Sequence, residues 1–313
     1  MPKGELAFVE WLRAVCKADT TRVPIPIGDD MAGVHLDGRL AMLTADMLLD
    51  GVHFETARHT LRQIGYKAIA CSLSDCAAMA CRPRGALVSV ALPGTMSMED
   101  AQGLYSGMLE ACGKFHCPIV GGDTTSWRHP LAIDVAMLGE PMSDRGPVRR
   151  DGARPGDVLL VTGQLGGSLL GKHLAFTPRL AEAEFLAVGL SGHLHAMIDI
   201  TDGLALDTYR MCQASGCAAI LEEDRLDLVA AGRAREAARQ DGRSPLDHVL
   251  HDGEDFELLA AVHPDALGLL SRSPRPLLVV GRVVKHEQAP WLHLRRLNGR
   301  LEPLPPGGYE HFR

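Results

Sequence analysis

Met197-Ile198-Asp199-Ile200-Thr201-Asp202-Gly203-Leu204 sets two carboxylates, a hydroxyl and a glycine at the end of an apolar run. Residues 196–200 read as a strand, Gly203 as its turn, and 204–214 as the helix that follows. Five other segments combine carboxylates with Gly, Ser or Thr: Gly28-Asp29-Asp30, Thr44-Ala45-Asp46, Ser72-Leu73-Ser74-Asp75, Gly121-Gly122-Asp123-Thr124-Thr125 and Gly253-Glu254-Asp255. Two of them again follow apolar runs, at 40–43 and 119–120. Oxygen ligands converge readily where a strand hands over to a turn. Mg²⁺ takes a few carboxylates together with the oxygens of substrate phosphates. The pattern predicts a Mg²⁺–nucleotide enzyme whose site is assembled from most of the chain.

Each segment also has a plainer reading. Asp and Gly are common turn formers, and Thr201 or Asp202 suits a helix cap. Asp75 resists that treatment, because it falls in an apolar, small-residue helix where a carboxylate is costly unless paired or metal-bound. Asp199, at the end of an apolar strand, meets the same objection. Taken together the segments favour the metal. Gly166-Gly167-Ser168-Leu169-Leu170-Gly171-Lys172 fits the first part of a phosphate-binding P-loop, but His173 stands where Ser or Thr must reach Mg²⁺. It reads as a glycine-rich turn with Lys172 solvated.

Composition bounds the answer. The chain has 313 residues, enough for two domains and a substantial core. A net charge of −7 and few aromatics argue against nucleic acid as a partner. No apolar run approaches the roughly 20 residues of a membrane span, and the N-terminus lacks the pattern of a signal peptide. The eight cysteines form no Cys-x-x-Cys pair, and several are five apart, a spacing that on a helix points side chains in different directions. Buried, reduced thiols in a cytoplasmic protein are expected.

The periodicities predict an amphipathic helix at 5–16, a strand at 40–46 and a mostly buried helix at 60–81. A strand follows at 86–92, then an amphipathic helix at 99–115 with Ala101, Leu104, Tyr105, Met108, Leu109 and Cys112 on one face, and a strand at 131–138. The Pro-, Gly- and Arg-rich stretch 141–156 reads as a linker. Beyond it come strands at 158–162 and 196–200, helices at 204–214 and 226–239, and strands at 258–262 and 277–284. Two α+β domains are expected, residues 1–145 and 146–313.

In order and spacing the segments resemble those of the thiamine-monophosphate kinases, within the superfamily of aminoimidazole ribonucleotide synthetase. The resemblance runs from Gly4-Glu5 to Gly308-Tyr309-Glu310-His311-Phe312 and includes Asp46-Met-Leu-Leu-Asp-Gly-Val-His53-Phe54, Tyr66-Lys67-Ala68 and Arg150-Asp-Gly-Ala-Arg-Pro-Gly-Asp157. It implies an N-terminal α/β domain whose sheet pairs with that of a second subunit to make a dimeric barrel, then a C-terminal α/β sandwich. By the same resemblance Asp30, Asp46, Asp75, Asp123, Asp199 and Asp202 would hold several Mg²⁺ ions, with Thr44, Asp29 and the Ala45 carbonyl assisting. Tyr105, Gly122, Asp123, Arg150 and Thr201 would contact ATP. His53, Glu254 and Tyr309 would line the thiamine phosphate pocket, and the protein would be a homodimer. The expected reaction is ATP-dependent phosphorylation of thiamine monophosphate, with another acceptor or a regulatory nucleotide-binding role as rivals. Ala45, Ser72, Ser126-Trp127, Asp252 and a short segment after Lys172 depart from the family's pattern.

Overall fold

The computed structural model describes residues 5–16, 18–287 and 289–309. Gly4, Glu310, His311 and Phe312, at the two ends of the resemblance, lie outside them. Helix α1 (Glu5–Val15) comes first, and its apolar side remains open: Phe8, Trp11 and Val15 are each about half exposed.

Strands β1 (Ala32–Leu36), β2 (Arg39–Leu49), β3 (Cys81–Pro93), β4 (Ile119–Trp127) and β5 (Ala132–Pro141) form a sheet in the order β1-β2-β5-β3-β4. Helices α2 (Leu61–Ala78) and α3 (Met98–Phe115) cover one of its faces. Both begin with a capping box, Thr60 with Gln63 and Ser97 with Asp100, which satisfies backbone donors at each helix start. On the covered side Met42, Leu48, Val88, Val90, Ile133, Val135 and Met137 pack against Ile64, Leu73, Leu104 and Met108. The two helices touch at glycines. A Cβ on Gly65 would stand 1.9 Å from the Leu104 carbonyl oxygen, and one on Gly107 1.8 Å from that of Arg62.

Helix α2 is buried along most of its length, from Ile64 to Ala78. Its last turn, Ala77 and Ala78, enters the core of the second half. That half is built on a seven-stranded sheet: β6 (Val158–Val161), β7 (Leu194–Ile200), β8 (Cys217–Glu222), β9 (Glu257–Val262), β10 (Leu278–Lys285), β11 (Leu292–Arg295) and β12 (Leu301–Pro303), in the order β12-β11-β8-β10-β6-β9-β7. Five helices belong to it: α4 (Leu180–Glu184), α5 (Leu204–Ser215), α6 (Glu223–Val229), α7 (Gly232–Asp241) and α8 (Pro245–His251). Leu159, Val161, Ile198 and Ile200 face α5 and α6, whereas Leu160, Met197 and Leu258 face the end of α2 and the segment after α4. Burial on both faces is why β6, β7 and β9 read as continuous apolar runs rather than alternating ones.

Several expectations change. The Gly121–Thr125 segment is an edge strand, parallel to β3, and not a turn. The single helix expected at 226–239 is two, because the Ala230–Ala231 backbone leaves the helix to bond Leu165. Leu109 of α3 is 59% exposed. All eight cysteines are free and seven are buried, but Cys16 is exposed. Cys212 lies in α5 and Cys217 opens β8, so this pair five residues apart does not share one helix.

Candidate functional site

Asp30, Asp75 and Asp199 each offer one carboxylate oxygen, and these oxygens all lie within 4.8 Å of one another. They come from a loop ahead of β1, from the middle of the second half of α2 and from the end of β7. Each is held by a neighbour. The Thr44 hydroxyl donates to Asp75, that of Ser74 to Asp199 at 2.6 Å, and Arg150 pairs with both Asp29 and Asp30. Asp46, beside Thr44 on the covered face of β2, accepts from the Ser72 hydroxyl at 2.7 Å. The unusual Ser72 therefore serves as a polar partner for an acid of the site.

Crowded carboxylates removed from water resist ionisation. Burial pushes Asp30 up to about 7 against the pull of the Arg150 guanidinium. Asp75 and Asp199 rise well above the usual range, through burial first and then through nearby carboxylates, Asp46 foremost for Asp75 and Asp30 foremost for Asp199. Asp46 and Asp29 rise too, both through burial first. Asp30 Oδ2 is buried and has no hydrogen-bond partner among the described residues. An all-oxygen donor set, close-set and short of positive charge, fits a hard divalent cation such as Mg²⁺.

A further acid, Asp207, holds the turn behind it. The Asp207 carboxylate accepts from the backbone N–H groups of Thr201, Asp202 and Gly203 at 3.0–3.2 Å, closing the start of α5, and is pushed up to about 6 by burial. Arg210 bridges Asp207 and Asp202. Asp202 thus faces the site already paired, and it is not one of the three converging acids.

The acids open into a cavity of about 650 Å³ whose far wall carries His53, Lys67, Glu254 and Tyr309. Lys67 is fully buried in α2; its Nζ donates to both Glu254 oxygens at 2.7 Å and to the His53 carbonyl at 2.5 Å. Glu254 is held with φ +61 and its N–H donates to the Thr201 carbonyl. His53 Nδ1 accepts from the Leu49 N–H at 3.0 Å, and the Tyr309 N–H donates to the Asp202 carbonyl at 2.9 Å, so this late residue is anchored.

Asp30, Ala45, Asp46, His53, Asp75, Asp199, Thr201, Asp202, Glu254 and Tyr309 all line this cavity. Gly122 and Asp123 do not; they lie on the exposed edge strand β4, where Asp123 accepts from the Thr124 N–H. Tyr105 packs on the core beside α2. Lys172 is far from solvated: it pairs with Glu257 at 2.9 Å and Asp255 at 3.4 Å in a buried network with Arg179. The reading of the sequence missed Lys67, Asp207 and Arg210. Lys67 carried a usable signal, since a charge inside the buried helix is as costly as that of Asp75.

Comparisons with known proteins follow this geometry. Residues 28–140 match the family model "AIR synthase related protein, N-terminal domain", and residues 154–289 the corresponding C-terminal domain. The chain is 38% identical to thiamine-monophosphate kinase of Rhodopirellula baltica, over 98% of this chain and 97% of that one. It is 31% identical to the enzyme of the same name from Aquifex aeolicus, over 83% and 86%. A structure described as AaThiL complexed with AMPPCP and TMP superposes with a TM-score of 0.84 at 26% identity, covering 100% of this chain and 99% of that one.

Proposed function

The chain belongs to the AIR synthase-related proteins and, among them, to the thiamine-monophosphate kinases; on that premise we propose that it transfers the γ-phosphoryl group of ATP to thiamine monophosphate, giving thiamine diphosphate. It is an enzyme, a phosphotransferase whose acceptor is itself a phosphate. The observation that carries the reading is the convergence of Asp30, Asp75 and Asp199 in the lining of a cavity of about 650 Å³.

Bringing two polyanions together is the main obstacle. The acids Asp30, Asp46, Asp75 and Asp199, with Thr44, Asp29, the Ala45 carbonyl and Asp202 around them, would hold Mg²⁺, which supplies the positive charge that the phosphates need. Arg150 adds a fixed guanidinium between Asp29 and Asp30. His53, Glu254 and Tyr309 form the wall suited to the acceptor, with Lys67 holding Glu254 in place. Gly122 and Asp123, on the open edge of β4, and Tyr105 and Thr201 are assigned to ATP. An acceptor phosphate is already ionised at neutral pH, so no general base is required. Direct in-line transfer without a phospho-enzyme fits a site whose converging groups are carboxylates.

A homodimer fits the uncovered face of the first sheet. Leu43, Leu87 and Leu138 lie there on three adjacent strands, each between 42% and 49% exposed. We keep the division of the chain at residues 145 and 146 and assign the protein to the cytoplasm; no helix among the described residues is long and apolar enough to cross a membrane.

The test is chromatography of a reaction containing the protein, ATP, Mg²⁺ and thiamine monophosphate. Thiamine diphosphate and ADP should appear together and vanish with EDTA. Asp75→Asn should lower kcat by at least about 10³-fold, since metal charge stabilisation is worth several kcal/mol and about 1.4 kcal/mol is tenfold. ADP without thiamine diphosphate would assign a different acceptor.

A further inference from the structure

Helix α2 lends the cavity three side chains spaced four residues apart, Lys67, Cys71 and Asp75. That spacing keeps them on one face of the helix and spreads them over roughly 12 Å. Asp75 marks the acidic end of the cavity and Lys67 the end away from it. Two histidines that have no part in the site so far, His59 and His173, complete the lining, and His173 lies within the field of the Lys67 charge. The two rings meet edge to face, with centroids 5.7 Å apart and planes at 74°. His173 belongs to the short segment after Lys172, where this chain departs from the family's pattern.

In both rings one nitrogen is already committed. His173 Nδ1 lies 2.9 Å from the Ser168 carbonyl, which can only accept, so Nδ1 carries the proton and Nε2 the lone pair. Burial pushes the ring down to about 4 against the pull of that carbonyl, so the imidazole is neutral at neutral pH and Nε2 remains an acceptor. His59 Nδ1 accepts from the Glu55 N–H at 3.1 Å, which leaves the proton of that ring on Nε2. Among the described residues no hydrogen bond reaches either Nε2. The wall therefore offers one acceptor and one donor.

The segment that carries His173 is fixed in place. The Gly166 N–H and the Ser168 hydroxyl donate to Asp255, and Lys172 pairs with Glu257. Farther on, Phe176 stacks on Phe256 at 3.9 Å, and its carbonyl accepts from the Tyr66 hydroxyl of α2 at 3.0 Å. A donor and an acceptor held in this way discriminate by pairing, because a ligand with the wrong groups leaves buried polar atoms unsatisfied.

Thiamine monophosphate has its phosphate at one end and an aminopyrimidine ring at the other. The amino group of that ring donates, and the ring nitrogen next to it accepts. We infer that His173 and His59 select this ring: His173 Nε2 accepts from the amino group, and His59 Nε2–H donates to the neighbouring ring nitrogen. The inference rests on the kinase reading and assigns the part of the acceptor that does not react. It also gives the glycine-rich turn at 166–172 a purpose other than holding phosphate.

The experiment gives the full chain ATP, Mg²⁺ and one of two acceptors, thiamine monophosphate or the analogue in which an oxo group replaces the amino group. In the analogue the two groups are reversed: the oxo group accepts and the ring nitrogen donates. The wild type should favour the amino compound at least about tenfold in kcat/KM. His173→Asn and His59→Asn keep a polar group near the Nδ1 position and have none at Nε2. Each should raise the KM for thiamine monophosphate and shrink the preference toward unity, with the KM for ATP as in the wild type. A weakened fold would affect both acceptors alike, so the ratio separates the two causes. Equal use of both acceptors by the wild type, or an undiminished preference in either variant, would overturn the inference and leave the kinase reading standing. A wild type that phosphorylates neither compound would remove both.

Discussion

Asp30 keeps one oxygen buried and without a partner among the described residues, and burial pushes its carboxyl up to about 7. A carboxyl whose folded-state pKa lies above its ordinary 3.8 holds a proton that the unfolded chain has already released. Between about pH 4 and 7 the folded state therefore binds more protons than the unfolded one, and stability falls as pH rises through that window. Asp29, Asp46, Asp75 and Asp199 are raised as well and add to the same slope. In the proposed site Mg²⁺ would bind the deprotonated acids, so its stabilisation would grow with pH. In EDTA the melting temperature should drop between pH 5 and 8, by the equivalent of a few kcal/mol; Mg²⁺ should recover most of the drop, and Asp75→Asn should flatten it. A melting temperature that is level or rising with pH in EDTA would contradict the charge assignment. The acids themselves were legible in the sequence because carboxylates next to Gly, Ser and Thr recur after apolar runs. Asp207 was not, because a single acid on the helix after Gly203 reads as a solvated one. Its closing of the α5 start depends on the turn folding back over it.

Helices α2 and α3 were both expected, from composition and amphipathic periodicity, and both are found within a few residues of those bounds. Their closeness was not legible, since Gly65 and Gly107 look like weak points in a helix until the two backbones are seen in contact. Gly107→Ala should destabilise the protein by about 1–3 kcal/mol or more in urea unfolding, because the added methyl meets a backbone carbonyl that cannot move aside like a side chain. Stability equal to wild type would mean that the helices part without cost. The strand β4 escaped for a related reason. Its Gly121-Gly122 pair signals a turn locally, yet Gly122 adopts φ +147 against the Val88 backbone within a parallel pairing. The break in the helix expected at 226–239 is set by Leu165, more than sixty residues earlier, and no local pattern announces it.

At the scale of the molecule the first sheet has one face under helices and one face bare. Pairing that bare face with a second chain would bury Leu43, Leu87 and Leu138 together. Light scattering should give the wild type twice its chain mass of 33.7 kDa, and Leu138→Lys, which leaves the helix-covered face unchanged, should shift the mass toward that of one chain; a wild type with the mass of one chain would refute the dimer. The resemblance drawn from the acidic segments and the two-domain fold it implied are both upheld by the family models and the superposed structure. Asp30 and Asp75 come from the first half of the chain, Asp199 from the second, and α2 is buried in both. On the proposed site, a chain that has folded only its first half would possess ligands but no binding site. Phosphate chemistry would then begin only once synthesis and docking are complete, and an unfinished molecule would be chemically silent toward the nucleotide around it.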